Sequence, residues 1–140
     1  MRLKFRAIRE NHLYSKAYAK GKRSVCETVA VYLLPDYAAE RLRRADPEKK
    51  KRNRIGIAVS KKLGGAVARN RAKRLIREAY RAIETEYQIK QGYLVVIAAR
   101  TGINGKKTAD VRRDLERSVR KLDMIIAPRP SDEGEANARG

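Results

Sequence analysis

Residues 66–84 constrain the fold most, because their side chains repeat with the period of an α-helix. The stretch reads AVARNRAKRLIREAYRAIE, and successive helical residues lie about 100° apart around the axis. A helix with an apolar stripe must pack that stripe against a core. The rest of the chain must therefore supply a matching apolar surface. The predicted stripe consists of Ala72, Leu75, Ile76, Ala79 and Ile83.

The other side of the same predicted helix is cationic. The only acids nearby are Glu78 and Glu84, whereas a solvated helix usually pairs its cations with acids at i,i+4. The cationic side extends over roughly 15 Å at about 1.5 Å per residue, and arginine binds phosphate in a bidentate manner. We therefore expect a phosphate-binding surface; a merely solubilising face is the alternative. It comprises Arg69, Asn70, Lys73, Arg74, Arg77 and Arg81, with Arg71 at its border.

A glycine-rich turn precedes this helix. Lys61, Lys62, Gly64 and Gly65 lead directly into its first residues. Free backbone N–H groups and the helix dipole favour an anion at such an N-terminus. The turn alone is weak evidence, but beside the cationic side it indicates the same kind of ligand.

The charge of the whole chain points to a polyanionic partner. The sequence has 35 Lys and Arg against 16 Asp and Glu, a formal net charge of +19. Nucleic acid or an anionic membrane surface would explain this imbalance. A membrane role is disfavoured because Leu75, Ile76 and Ile83 are needed for the core. No segment approaches the ~20 apolar residues of a membrane-spanning helix, so we expect no membrane partner and a cytoplasmic protein.

The remaining pattern predicts one domain over residues 1–127. Apolar spacing predicts helices over 8–20 and 106–126 beside the one already described, and β-branched runs predict strands over 25–34, 54–60 and 94–99. Residues 36–52 form a charged excursion, and residues 128–140 are expected to be a disordered tail.

Two tyrosines lie four residues apart in the first predicted helix. Tyr14 and Tyr18 therefore share one line on its surface. They either pack half-buried against the core or form a platform on which bases stack, a contact of roughly 1–3 kcal/mol per base. Both interpretations stay open on the sequence alone.

No catalytic constellation is evident in the sequence. A metal-dependent nuclease needs clustered carboxylates, but the acids are scattered, and Asp110 and Asp114 lie beside Arg113 and Arg117. His12 has no evident Ser or Cys partner. We therefore expect no catalytic residue in the protein itself and leave its metal ligands unassigned.

The stretch from Arg54 to Arg81, RIGIAVSKKLGGAVARNRAKRLIREAYR, resembles the signature of the bacterial ribonuclease P protein family. The family pattern is a strand, Lys-Lys, Gly, Ala-Val and then an Arg-Asn-Arg helix. Weaker resemblance extends over roughly residues 7–126. The matching positions are Lys61, Lys62, Gly64, Ala66, Val67, Arg69, Asn70, Arg71, Lys73, Arg74 and Arg77.

The resemblance implies an α/β (α+β) two-layer sandwich with three helices, a sheet of about four strands and a left-handed βαβ crossover. The fourth strand would lie near 21–28. It also implies that the Arg-Asn-Arg helix, with Lys61 and Lys62, docks on a catalytic RNA. A groove formed by Tyr14, Tyr18 and Tyr32 would hold the 5′ leader of precursor tRNA.

By the same resemblance, the RNA subunit of this tRNA-maturing endoribonuclease hydrolyses the substrate with Mg²⁺, and no obligate protein partner is implied. A structural RNA-binding protein of ribosomal type is the alternative, which composition alone does not separate. A protein-only nuclease is disfavoured by the scattered carboxylates.

Overall fold

The computed structural model describes residues 6–38, 41, 45 and 52–130, and its elements alternate between strands and helices. In chain order they are β1 (Arg6–Ala7), α1 (Asn11–Lys20), β2 (Lys22–Val25), β3 (Val29–Pro35), β4 (Arg54–Ala58), α2 (Ala66–Glu86), β5 (Tyr87–Ile89), β6 (Tyr93–Ala99), α3 (Thr108–Lys121) and β7 (Ile125–Pro128). Short 3₁₀ helices lie at Lys61–Leu63 and Thr101–Ile103. Within these ranges, no helix is both long and apolar enough to cross a membrane.

The main sheet has the order β1-β4-β6-β3-β2. β4 runs parallel to β1 and β6, whereas β3 is antiparallel to both β6 and β2. β5 and β7 form a separate antiparallel pair. The predicted mixed fold with three helices and four main strands is confirmed, and the two-residue β1 adds one edge.

Alternate residues of the central strands face different helices. Odd-numbered residues of β3 and β6 pack with α2 and α3, and even-numbered ones face α1. Because β6 is covered on both faces, its side chains Leu94 to Ile97 are buried without interruption. The larger core joins Val29, Val31, Leu33, Ile55, Val95 and Ile97 of the sheet to Leu75, Ile76, Ala79 and Ile83 of α2 and Val111, Leu115 and Val119 of α3.

The crossover from β4 through α2 to β6 is left-handed. Ile55 belongs to the core on the α2 face, and its carbonyl accepts the Ile8 N–H at 3.1 Å on the β1 side. When a strand of L-amino acids runs upward, a residue whose side chain points toward the viewer directs its C=O group to the right. Seen from α2, β1 therefore lies to the right of β4 and β6 to the left. About 98% of such connections are right-handed. The left-handed crossover that the family resemblance implies is therefore confirmed as an exception to this rule.

Several predicted boundaries need correction. The stretch predicted as one strand over 25–34 is split by a turn at 26–28, and the additional strand expected near 21–28 is Lys22–Val25. The helix predicted over 106–126 ends at Lys121, because Asp123 takes a left-handed φ of 61° and the chain enters β7. Most of the 36–52 excursion and residues 131–140 of the tail lie outside the described residues.

An ion-pair cluster fixes the start of α1 on the sheet. The Arg54 guanidinium donates from Nε and Nη2 to the two oxygens of Asp36, at 2.8 and 3.1 Å. Its Nη1 also donates to Oε1 of Glu10, the residue before α1, at 3.1 Å. Asp36 is buried, so this pair is better shielded from solvent than an exposed one. The position of α1 fixes the tyrosines on its inner side.

Candidate functional site

The cationic side of α2 faces solvent as its period predicts. Asn70, Lys73, Arg74 and Arg77 are exposed, and Arg69 and Arg81 are half-buried. The opposite side is buried, including the predicted Ala72, Leu75, Ile76, Ala79 and Ile83. The pattern did not reveal that Tyr80 and Glu84 are buried as well. We call these six residues the cationic stripe: Arg69, Asn70, Lys73, Arg74, Arg77 and Arg81.

The cations of the stripe have no acidic partners among the described residues, whereas those of α3 do. On α3, Arg113 lies 3.4 Å from Asp110 and Arg120 lies 3.1 Å from Glu116, and Arg112 pairs with Glu86 of α2. No such ion pair joins a stripe residue to a described acid. Unpaired like charges on one helix face repel, so the stripe is arranged for a partner that brings negative charge.

Three arginines at the margins of the stripe are held partly inside the protein. Arg71, predicted to lie at the border, is half-buried and donates from Nη2 to the carbonyl of Lys106. The Nε atoms of Arg69 and Arg81 are buried without a hydrogen-bond partner within the described ranges. The hydrogen bond of Arg71 restricts its side chain, which lowers the entropy that phosphate binding would cost.

The turn before α2 presents two lysines at the helix N-terminus. Lys61 and Lys62 are exposed on a 3₁₀ turn whose first N–H groups are capped by Ser60, which accepts the Lys62 N–H at 3.3 Å. Gly64 has a φ of 132°, which side-chain-bearing residues rarely adopt. Gly65 begins α2 without a side-chain cap. The predicted combination of two lysines and an uncapped helix start is therefore in place.

The three predicted tyrosines meet on the other face of the sheet. Tyr18 of α1 and Tyr32 of β3 form an edge-to-face pair with ring centroids 4.8 Å apart and an interplanar angle of 85°. Tyr18 keeps 43% of its surface exposed, so one ring remains available to a ligand. We call Tyr14, Tyr18, Tyr32 and the sheet surface beside them the aromatic groove.

Tyr14 lies directly over the sheet because β4 has a glycine there. A Cβ placed on Gly56 would lie 2.6 Å from the Tyr14 hydroxyl oxygen and 2.7 Å from its ring. The absence of a side chain at Gly56 therefore makes room for the ring. No pattern in the sequence indicates this contact, because Gly56 appears there only as a small residue within a strand.

The tyrosine hydroxyls of α1 are neutral at physiological pH. Burial raises the pKa of Tyr14 above its ordinary value of 10.0. Burial, followed by the nearby Tyr32 and Tyr14 hydroxyls, raises the pKa of Tyr18 in the same direction. Neutral hydroxyls neither repel a phosphate backbone nor lose their ability to donate a hydrogen bond.

We expect Gly56→Val to destabilise the fold by about 1–3 kcal/mol, the usual cost of forcing extra atoms into a packed site. Urea unfolding followed by circular dichroism measures this change. Gly65→Ser is the matched control, because a Cβ at Gly65 meets nothing within 4 Å and serine is a good first cap of a helix. Equal unfolding midpoints for the two variants would contradict the packing described for Tyr14.

Within the described ranges, no three His, Cys, Asp or Glu side chains come close enough together to hold a metal ion. Asp114, which the sequence places beside Arg113 and Arg117, instead accepts the backbone N–H and hydroxyl of Thr28 at 3.0 and 2.7 Å. This buried carboxylate ties α3 to the residue that precedes β3.

The mixed fold, the unpaired cationic stripe and the aromatic groove together define an RNA-binding protein. The family described as Ribonuclease P matches residues 3–123, and the chain belongs to this family. Its partner is accordingly the ribonuclease P RNA, and its role is that of the protein subunit in tRNA processing.

Individual relatives agree with this assignment. The chain is 35% identical over 124 residues to the ribonuclease P protein component of Clostridium acetobutylicum, covering 89% of this chain and 94% of the relative. It is 31% identical over 121 residues to that of Clostridioides difficile, covering 86% and 95%. None of these similarities supports the alternative of a ribosomal-type protein.

Solved structures show the same fold. The Staphylococcus aureus RNase P protein superposes with a TM-score of 0.68 and 25% identity, over 88% of this chain and all of that one. The Thermotoga maritima protein gives a TM-score of 0.61 over 79% of this chain and 92% of that one, at 23% identity, and supports the fold alone.

Proposed function

We propose that the protein's two surfaces bind two different RNAs within one ribonucleoprotein. The cationic stripe, together with Lys61 and Lys62, docks on the ribonuclease P RNA, and the aromatic groove binds the single-stranded 5′ leader of precursor tRNA. The observation that carries this division is their different chemistry on opposite faces of the sheet. Unpaired cations suit a folded, phosphate-rich surface, whereas exposed tyrosine rings suit unstacked bases.

The stripe is suited to a structured RNA because its contacts are to charge. Five cations along one helix can follow successive phosphates, and their guanidinium groups bind phosphate through paired donors. Phosphate contacts fix position and register without reading sequence. Such a surface would place the protein at a defined site on the RNA.

The groove is suited to a single strand because its contacts are to base faces. Stacking on a tyrosine is tolerant of sequence, since every base has an aromatic face. A leader differs between precursor tRNAs, so a sequence-tolerant site is the useful one. Binding the leader would raise the affinity of the complex for precursor over mature tRNA.

Hydrolysis in this proposal belongs to the RNA subunit with Mg²⁺. The described residues do not fit a metal centre of their own, because they bring no three suitable ligands together. The protein's contribution is to bind and orient RNA, and no further protein subunit is needed. Its place of action is the cytoplasm, where precursor tRNA is available.

Reconstitution tests the proposal. We expect a bacterial ribonuclease P RNA at low Mg²⁺ concentration to cleave precursor tRNA at the mature 5′ end much faster when this protein is added. Protein without RNA should cleave nothing. Cleavage by the protein alone would overturn the assignment of hydrolysis to RNA. Binding of the RNA without any gain in activity would leave only a structural role.

A further inference from the structure

The sheet face that carries the aromatic groove continues beyond α1 as a strip of small side chains. One row across this face runs Gly56, Val96, Tyr32 and Arg23, from β4 to β2. The next row consists of Ala58, Ala98, Ala30 and Val25. Val25 is 50% exposed although it is apolar. Ala58 and Ala98 are half-buried and Ala30 is buried, so an extended chain leaving the groove would contact this strip mainly at Ala58, Ala98 and Val25.

Arg23 stands at the edge of the groove. Strand register pairs it with Tyr32, and directly opposed Cβ atoms of antiparallel strands lie about 4.5–5.5 Å apart. The buried Ser24 and its partner Val31 face the other side, which places Arg23 on the groove side. Its side chain is exposed, and no hydrogen bond or ion pair joins that side chain to another described residue.

Arg100 stands at the far end of the strip. Its extended backbone, with φ −102° and ψ 158°, continues the alternation of β6, so it shares a face with Ala98. Its backbone N–H donates to the carbonyl of Thr28 at 2.9 Å, four residues before Tyr32, or roughly 13 Å at about 3.3 Å per residue. Nη1 of Arg100 donates to the Cys26 carbonyl at 2.6 Å, which orients the guanidinium while leaving other donors available.

The arginine at the opposite end of the groove is neutralised. There, Glu10 and Asp36 hold Arg54, whose guanidinium nitrogens are all engaged with these carboxylates. The two acids neutralise Arg54, so this guanidinium is not available to a phosphate. Arg23 and Arg100 form no ion pair with a described acid, so their charges attract a polyanion that reaches the tyrosines.

We propose that Arg23 and Arg100 bind backbone phosphates of the single-stranded RNA whose bases stack at Tyr18 and Tyr32, so that the strand runs from the aromatic groove along the alanine strip. This inference rests on the proposed role of the groove. It adds the path of the strand from the groove along the alanine strip, which we call the track, and the phosphate contacts on that path. Arginine suits the task because its fork of donors matches two phosphate oxygens.

The test measures binding of precursor tRNA and of leaderless mature tRNA to the complete complex of this chain with ribonuclease P RNA. We expect Arg23→Ala to weaken precursor binding about tenfold, the loss of one charge-assisted phosphate contact, with mature tRNA unaffected. The salt slope should fall by about 0.7, the value for one phosphate of a single strand. Arg100→Ala should behave in the same way.

Lys22→Ala is the matched control. Lys22 precedes Arg23 on the same strand and also carries one exposed charge, but it pairs with Leu33, whose side chain faces the α2 and α3 core. Its loss should leave precursor binding within about twofold, as for a distant screened charge. A loss equal to that of Arg23→Ala would reduce the effect to general electrostatic attraction and overturn the proposal.

Uncharged methylphosphonate linkages, placed one at a time along the leader, locate the contacts. If Arg23 binds a phosphate, Arg23→Ala should have no further effect when that one linkage is already neutral, and Arg100 should select a different linkage. Additive losses at every position would contradict the proposal. Tyr18→Ala, measured in parallel, distinguishes failure of the groove assignment from failure of the track. If Tyr18→Ala weakens precursor binding and both arginine variants do not, the groove assignment stands and the track is wrong. If it has no effect, the groove assignment fails.

Discussion

Replacing Arg74 and Arg77 together by alanine should weaken assembly with ribonuclease P RNA about 100-fold, roughly tenfold for each lost charge-assisted contact. The reason is that both side chains are exposed on the cationic stripe and bind no described acid. Folding should be unaffected, since removing them also relieves repulsion between like charges. The dependence of log K on log salt should flatten by about two units, close to 0.9 per phosphate.

The pair Arg113→Ala and Arg120→Ala provides the control for that measurement. It also removes two positive charges from one helix, but these arginines lie beside Asp110 and Glu116. Titration of labelled RNA at several salt concentrations compares the two variants. An unchanged slope for Arg74 and Arg77, or an equal change for the α3 pair, would remove the stripe as the docking surface.

The sequence predicted only part of this contrast between two basic helices. A net charge of +19 predicts a polyanionic partner for the chain, but it does not say which cations are already paired. Pairing within α3 follows i,i+3 and i,i+4 spacing and could be predicted. The pair of Arg112 with Glu86 joins two helices and depends on how α2 and α3 pack, which only the structure shows.

The sequence predicted α2 well because 21 residues record the helical period many times over. Its apolar side is buried at every position that the period selected. Short elements carry no such redundancy: the two residues of β1 cannot establish a period. The strand β7 was mistaken for the end of a helix because Leu122 and Ile126 fit helical spacing, whereas the left-handed Asp123 between them ends it.

The groove was predicted in part, for a related reason. Spacing of four placed Tyr14 and Tyr18 on one side of α1, and the family resemblance added Tyr32. The contact of Tyr14 with Gly56 and the position of Arg23 beside Tyr32 depend on tertiary packing and on strand register. That register is set by the turn at 26–28, which lies within the stretch predicted as one continuous strand.

Replacing Tyr18 by alanine should weaken binding of leader-bearing precursor tRNA about 5- to 150-fold, the range expected for roughly 1–3 kcal/mol per stacked base. Mature tRNA should bind as before, because it has no leader to stack. Two effects act together: the exposed ring is lost, and Tyr32 loses the edge-to-face partner that orients it. Competition binding of the two tRNAs to the reconstituted complex measures the difference.

Two further substitutions decide whether stacking is the cause. Tyr18→Phe keeps the ring and removes only the hydroxyl, so it should retain precursor binding; a loss equal to that of Tyr18→Ala would instead assign the effect to the hydroxyl. Tyr37→Ala removes another exposed tyrosine, which lies outside the groove and contacts the Lys16 ammonium 5.3 Å from its ring centroid. It should leave both tRNAs unaffected. Equal weakening of precursor and mature tRNA by Tyr18→Ala would mean that the groove supports the fold of the complex and does not bind the leader.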